Sequence, residues 1–245
     1  MKIRVNKYLS DTGICSRRGA DKMIADGRVT VNGVVPQKGK MVDPQDDEIV
    51  VDGSLIKPVK KKKIVFLAVN KPKGITCTAN EHINESILNL VGYAKRLSPI
   101  VKIDKQYEGL VLLSNDSDTA LQIEQSASLE KEYLVKVDKP VNEEFILKMK
   151  SSEDFGQVRI NKESKFVFRI IIENEKNKQI KRMCSALEYT VQHIIRLRIG
   201  NISIKDINVG KWRYITAPET EKLKSTVAAG AKKSTVQRKF FKRRG

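Results

Sequence analysis

The chain has 245 residues, enough for one large core or for a small domain joined to a medium one. Its 47 Lys and Arg against 29 Asp and Glu leave a formal charge of +18, and the usual partner of such an excess is a polyanion, with nucleic acid first. There is no apolar run of the roughly eighteen residues needed to cross a bilayer, and residues 1–8 lack the apolar stretch of a signal peptide, so a cytoplasmic protein with no membrane partner is expected. Cys15, Cys77 and Cys184 are odd in number and far apart, which fits reduced thiols, and with only His82 and His193 besides them no metal site is expected and no cofactor is called for. Nothing demands an obligate protein partner, and a monomer is expected.

The charge is uneven. Residues 1–63 carry 14 basic and 8 acidic side chains, residues 64–223 carry 25 and 21, and residues 224–245 carry 8 and none. The two ends therefore hold most of the excess, which suggests modules: a domain at 1–56, a basic linker at 57–63 with Lys60, Lys61, Lys62 and Lys63, a larger domain at 64–223, and a disordered basic tail at 224–245. In that tail Phe240 and Phe241 are available for stacking on bases.

In chain order, Val5, Tyr8 and Leu9 recur at helical spacing and Gly13 ends that turn. Ser16 suits the N-cap of a second helix carrying Ala20, Met23 and Ile24. Residues 28–31 and 48–51 then read as strands followed by the turn dipeptides Asn32-Gly33 and Asp52-Gly53. Arg17 and Arg18 occupy the opening turn of the second helix, where the helix dipole disfavours cations by roughly several tenths of a kcal/mol. A phosphate held there would explain the placement; an exposed, tolerated charge pair is the alternative. Val5-Asn6-Lys7-Tyr8-Leu9, Gly13-Ile14-Cys15-Ser16-Arg17-Arg18 and Val31-Asn32-Gly33 resemble the small RNA-binding domain first seen in ribosomal small-subunit protein four. The resemblance implies that Lys7, Arg17 and Arg18 contact an RNA backbone.

The larger segment opens with the apolar run 65–69, stopped by Asn70-Lys71-Pro72-Lys73-Gly74. Residues 100–103 and 110–113 are β-prone, and Asp104 lies on the connection between them, flanked by Lys102 and Lys105. Residues 131–137 alternate, which puts Tyr133, Val135 and Val137 on one strand face. Ile180, Met183, Cys184 and Leu187 follow the spacing of a core-facing helix whose opening turn holds Lys181 and Arg182. Finally Val191, His193, Ile195, Leu197 and Ile199 alternate with Gln192, Arg196 and Arg198, which predicts a strand with one apolar and one polar face and a packed His193. Taken singly, a loop aspartate is usually a turn residue, a strand tyrosine usually core, and a lysine near a helix start usually solvated, so these residues alone leave their roles open.

Their order is more specific. Asn70-Lys71-Pro72-x-Gly74, Asp104-Lys105-x-x-x-Gly109-Leu110, Ser114-Asn115-Asp116, Lys131-Glu132-Tyr133 and Asn177-Lys178-Gln179-Ile180-Lys181-Arg182-Met183 resemble the successive motifs of bacterial ribosomal RNA pseudouridine synthases. Lys139-Pro140, Gly210-Lys211-Trp212-Arg213 and the basic tail look most like the branch acting on 23S rRNA. The resemblance implies an α+β fold: a small helix-helix-strand domain, then a mainly antiparallel mixed sheet flanked by helices. It also implies a cofactor-free isomerisation of a flipped uridine, with 23S rRNA as the leading partner and transfer RNA open. In that reading Asp104 is the catalytic carboxylate, Lys181 its ion-pair partner and Tyr133 the ring stacked on uracil. Asn70 and Lys71 shape the pocket rim, and Lys102, Arg182, Arg196 and Arg198 serve as further RNA contacts. The family commonly has Gly-Arg-Leu-Asp where this chain has Val101-Lys102-Ile103-Asp104, and a small hydroxyl residue at Tyr107, so a catalytically impaired RNA-binding protein or ribosome assembly factor on the same fold is the rival expectation.

Overall fold

The computed structural model describes residues 2–56, 63–80, 82–151, 158–173 and 178–242, with side chains to residue 230. The chain forms two compact units, Met1–Lys63 and Ile64–Gly245. Nearly all of the basic linker, residues 57–62, lies outside the described residues, as do Asn177 and residues 243–245.

In the first unit, strand β1 (Ile3–Arg4) leads into helix α1 (Val5–Asp11), and α2 (Arg17–Ala25) follows. The expected cap is made: Ser16 Oγ accepts from the Gly19 N–H at 2.9 Å. Next come β2 (Val29–Val31), β3 (Met41–Val42), β4 (Ile49–Val51) and β5 (Ser54–Leu55). Strands β2, β4 and β5 pair antiparallel, and β1 pairs with β3. Both turn dipeptides take the left-handed backbone their composition favours, Asn32 and Gly33 at φ 53° and 80°, Asp52 and Gly53 at 49° and 77°. Val5, Tyr8, Leu9, Ala20, Ile24 and the inward residues of β2 and β4 form the core.

The second unit contains β6 (Phe66–Lys71), α3 (Ile87–Val91), β7 (Ser98–Ile100), β8 (Glu108–Ser114), α4 (Ser117–Gln125), β9 (Lys131–Val137), α5 (Glu143–Ser151), β10 (Val158–Ser164), β11 (Val167–Ile172), α6 (Gln179–Ala186), β12 (Val191–Ile199), β13 (Ile202–Ser203), β14 (Trp212–Tyr214) and α7 (Ala217–Lys242). Seven strands run in the order β10-β11-β9-β12-β8-β6-β14, with β7 on β8 and β13 on β12. Every pairing is antiparallel except that of β12 with β8. The fold is thus α+β with a mainly antiparallel mixed sheet, as expected.

Both faces of this sheet are covered. Leu67 and Val69 of β6 join one core with Tyr133, Val135, α5 residues Phe145 and Met149, and α6 residues Ile180, Met183 and Cys184. Phe66 and Ala68 of the same strand join a second core with Leu110, Leu112, Ile123, Leu223 and Val227. A strand buried on both sides reads as a continuous apolar run, which is how residues 65–69 appear in the sequence. At the sheet edge, the Trp212 indole N–H donates to the Val91 carbonyl at 3.1 Å and fixes β14 beside β6.

The expected disordered tail is corrected in part: α7 runs through residues 224–242. Leu223 and Val227, four residues apart, are buried in the second core and anchor the helix, and the Ala, Lys and Gln residues that follow are good helix formers. The side chains of Phe240 and Phe241 lie outside the described ones.

Candidate active site and RNA-contact surfaces

Asp104 sits on the loop between β7 and β8, residues 101–107. Ile103 and Tyr107 bury their side chains in the first core and pin the loop on either side of the half-exposed aspartate. Asp104 Oδ1 accepts the Gln106 N–H at 2.8 Å and the Asp104 carbonyl accepts the Tyr107 N–H at 3.0 Å, a turn closed by its own aspartate. The other carboxylate oxygen takes no hydrogen bond from a described residue.

Val101 opens the loop at φ 52°. For a β-branched residue the left-handed region costs about 1–2 kcal/mol. Yet the position keeps the conformation a glycine would adopt freely.

Two fully buried cations lie under the loop. Lys71, at the end of β6, has no exposed surface; its ammonium donates to the Pro72 carbonyl at 2.9 Å and to the Lys105 carbonyl at 3.4 Å. Burial pushes the Lys71 ammonium below the usual lysine range, opposed by the fields of Cys77, Glu108 and Asp104. Arg196, on β12, is also fully buried: Nε donates to the Leu110 carbonyl at 2.7 Å and Nη2 to the Val101 carbonyl. β12 can approach β8 only because residue 109 is glycine, at φ 106°; a Cβ there would stand 2.2 Å from the Arg196 carbonyl oxygen.

The remaining site residues are distributed as follows. Lys181, in the first turn of α6, holds its ammonium 5.2 Å over the Tyr107 ring. Among the described residues no Lys181–Asp104 ion pair forms; the lysine instead faces the ring beside Asp104 on the same loop. Tyr133 is fully enclosed in the same core as Tyr107 and Ile180. Lys102 and Arg182 are exposed. Glu108, unassigned in the sequence, starts β8 and lies 3.0 Å from His193 Nε2 of the neighbouring β12. No spacing rule signals that pair, because the parallel register that creates it is non-local.

Four of the expected RNA contacts are placed differently by the fold. Arg196 cannot reach solvent. β12 carries bulges between Val191 and His193 and between Arg196 and Arg198, which turn Ile194 and Arg196 to the buried side and leave His193, Ile195 and Leu197 half-exposed, so the expected polar face does not exist. Arg198 is engaged with Glu132 at 2.6 Å and Glu130 at 3.1 Å, and Arg169 shares Glu132 at 2.6 Å. Burial raises the Glu132 carboxyl, but the two guanidinium groups prevail and hold it below the usual range. Asn70 is buried and donates to the Ile207 carbonyl at 2.7 Å, so it and Lys71 tie backbone together rather than form a rim.

In the N-terminal unit, Arg17 and Arg18 are exposed at the start of α2, with no acidic residue in its first turn, and Lys7 is half-buried on α1. This is an exposed cationic helix start suited to phosphate.

The chain belongs to the RNA pseudouridine synthase family, whose members are enzymes that act on RNA. The family pattern of RNA pseudouridylate synthases matches residues 65–186, and that of the S4 domain matches residues 3–49. The chain is 41% identical over 223 residues to the dual-specificity RNA pseudouridine synthase RluF of Escherichia coli K12, covering 89% of this chain and 77% of the relative. An uncharacterized RNA pseudouridine synthase of Aquifex aeolicus is 33% identical over 240 residues, 91% of this chain and 94% of that one. A crystal structure of a pseudouridylate synthase shares the fold, with a TM-score of 0.63 over 90% of this chain and 99% of the other at 24% identity. Among the described residues no helix is long and apolar enough to cross a membrane.

Proposed function

We propose that this pseudouridine synthase acts on a uridine of ribosomal RNA in the cytoplasm, with 23S rRNA the leading substrate, and that Asp104 supplies the reacting carboxylate. The reaction breaks the bond from ribose C1′ to base N1, turns the base, joins C1′ to C5, and moves the C5 proton off while N1 gains one, so nothing is oxidised or reduced. The observation that carries the assignment is the placement of Asp104: one carboxylate oxygen is held by the loop's own turn, the other takes no hydrogen bond from a described residue, and Ile103 and Tyr107 anchor the loop on both sides. A carboxylate so placed can stabilise positive charge at C1′, attack it, or take a ribose proton. Lys181, 5.2 Å over the Tyr107 ring of the Asp104 loop, is the cation assigned to a substrate phosphate or to Asp104. Tyr133 keeps the role of the ring that meets uracil, which its full enclosure requires the bound substrate to uncover.

Flipping the uridine costs about a few kcal/mol, offset by contacts of Lys7, Arg17, Arg18, Lys102 and Arg182 with the surrounding RNA. The dual specificity in the name of the E. coli relative supports a second RNA substrate for this chain, and transfer RNA is the class that the sequence leaves open for it. The left-handed Val101 supports an active enzyme over an impaired one, since the loop geometry persists without the glycine.

Asp104→Asn tests the assignment. Pseudouridine formation on rRNA fragments should be abolished while RNA affinity stays within about two-fold, because the change is nearly isosteric. Measurable turnover by that variant would refute the role.

A further inference from the structure

We infer that Arg196 is a positioning residue for the reaction, holding Val101 in its left-handed turn and thereby aiming the Asp104 loop. This rests on Asp104 being the reacting carboxylate. A buried guanidinium normally answers a carboxylate, yet Arg196 bonds two backbone carbonyls instead: Val101, just before Asp104, and Leu110, just after the loop. One planar fork thus spans both stems of the loop, a geometry a lysine cannot reproduce.

Three observations converge on this role. Val101 is a β-branched residue in a conformation that persists only when its surroundings over-determine it, and Arg196 Nη2 holds its carbonyl. The arginine's own position is set by strand pairing on both sides, against Tyr133 of β9 and Gly109 of β8, where β12 comes too close for any side chain at residue 109. Finally, Arg196 Nη1 is buried with no hydrogen-bond partner among the described residues, so the guanidinium is not optimised for stability alone. With no exposed surface, it is also shut off from phosphate.

The test uses the full chain with Arg196→Lys and Val101→Gly, alone and combined, reading single-turnover rate, KM, RNA affinity and thermal unfolding. Arg196→Lys should lower kcat by about ten- to a hundred-fold with RNA affinity within about two-fold, the pattern of a misaimed catalytic group rather than of weakened substrate binding. Adding Val101→Gly should restore several-fold of that loss, because glycine takes the left-handed turn without being held. Weakened RNA affinity with kcat retained, or no restoration by Val101→Gly in a folded Arg196→Lys background, would overturn the inference. If Arg196→Lys alone does not fold, the double variant decides: folded and active supports the role, unfolded overturns it. An active Asp104→Asn variant would sink the functional reading instead, whereas an inactive one with no Val101–Arg196 coupling sinks only this inference.

Discussion

The two units use the same residue types in opposite ways. In Met1–Lys63 the notable arginines, Arg17 and Arg18, stand exposed at a helix start where the local field disfavours them. In Ile64–Gly245 the notable cations, Lys71 and Arg196, have no exposed surface and spend their donors on backbone carbonyls around the Asp104 loop. A basic composition therefore has two meanings: charge offered to a polyanion outside, and charge used as scaffold inside. Exposure decides between them.

The sharpest way to break that contrast is at Gly109, which permits the buried arginine's strand to approach. Gly109→Ala combines a positive φ with a Cβ 2.2 Å from backbone, and should destabilise the larger unit by about 3 kcal/mol or more in thermal or urea unfolding. A shift of a few tenths would show that the sheet can yield there.

The C-terminal helix offers a cut between scaffold and docking charge. Removing residues 231–245 should flatten the salt dependence of RNA binding by about 0.7–0.9 log units for each phosphate no longer neutralised. Removing residues 224–245 should add a stability loss of about 1–2 kcal/mol, because Val227 leaves the core. Equal melting temperatures for the two truncations would contradict the anchoring of α7.

On the exposed side, Arg17→Ala with Arg18→Ala should weaken RNA binding about ten-fold and reduce the salt slope by about one to two units, with stability within about 0.5 kcal/mol of the parent. An unchanged slope in a filter-binding titration would remove both arginines from the RNA surface.

Arg213 lies between the extremes, half-buried and paired with Glu219 at 2.8 Å. The Arg213 guanidinium, with help from Thr216, pulls the Glu219 carboxyl down to about 2. A carboxyl depressed in the folded chain adds stability above its ordinary pKa of 4.5, and that stability is lost as pH falls from there through about 2. Glu219→Gln should thus cost about 1 kcal/mol at neutral pH after solvent screening, with the difference from the parent vanishing near pH 2.

Local signals are legible in the sequence. The Ser16 cap, the left-handed Asn32-Gly33 and Asp52-Gly53 turns, the alternation of β9 and the apolar stripe of α6 are each determined by neighbours a few residues apart. Asp104 on a connection is legible for the same reason. The company it keeps is not: Arg196 looks outward when alternation is counted without the bulges, and Lys71 looks like a rim residue because nothing local says that the chain folds over it. The basic tail reads as disordered because composition alone assigns it to solvent, whereas two well-spaced apolar residues are enough to start a helix there.

The left-handed Val101 also bears on how such a chain can drift. Once a distant arginine holds residue 101 from outside, that position is released from glycine and can sample bulkier residues. The freedom runs one way, for after valine has settled there the arginine can no longer be exchanged without first restoring the glycine. The order in which the two positions change is then part of the chain's history, and replacing either one in isolation misreads what the other permits.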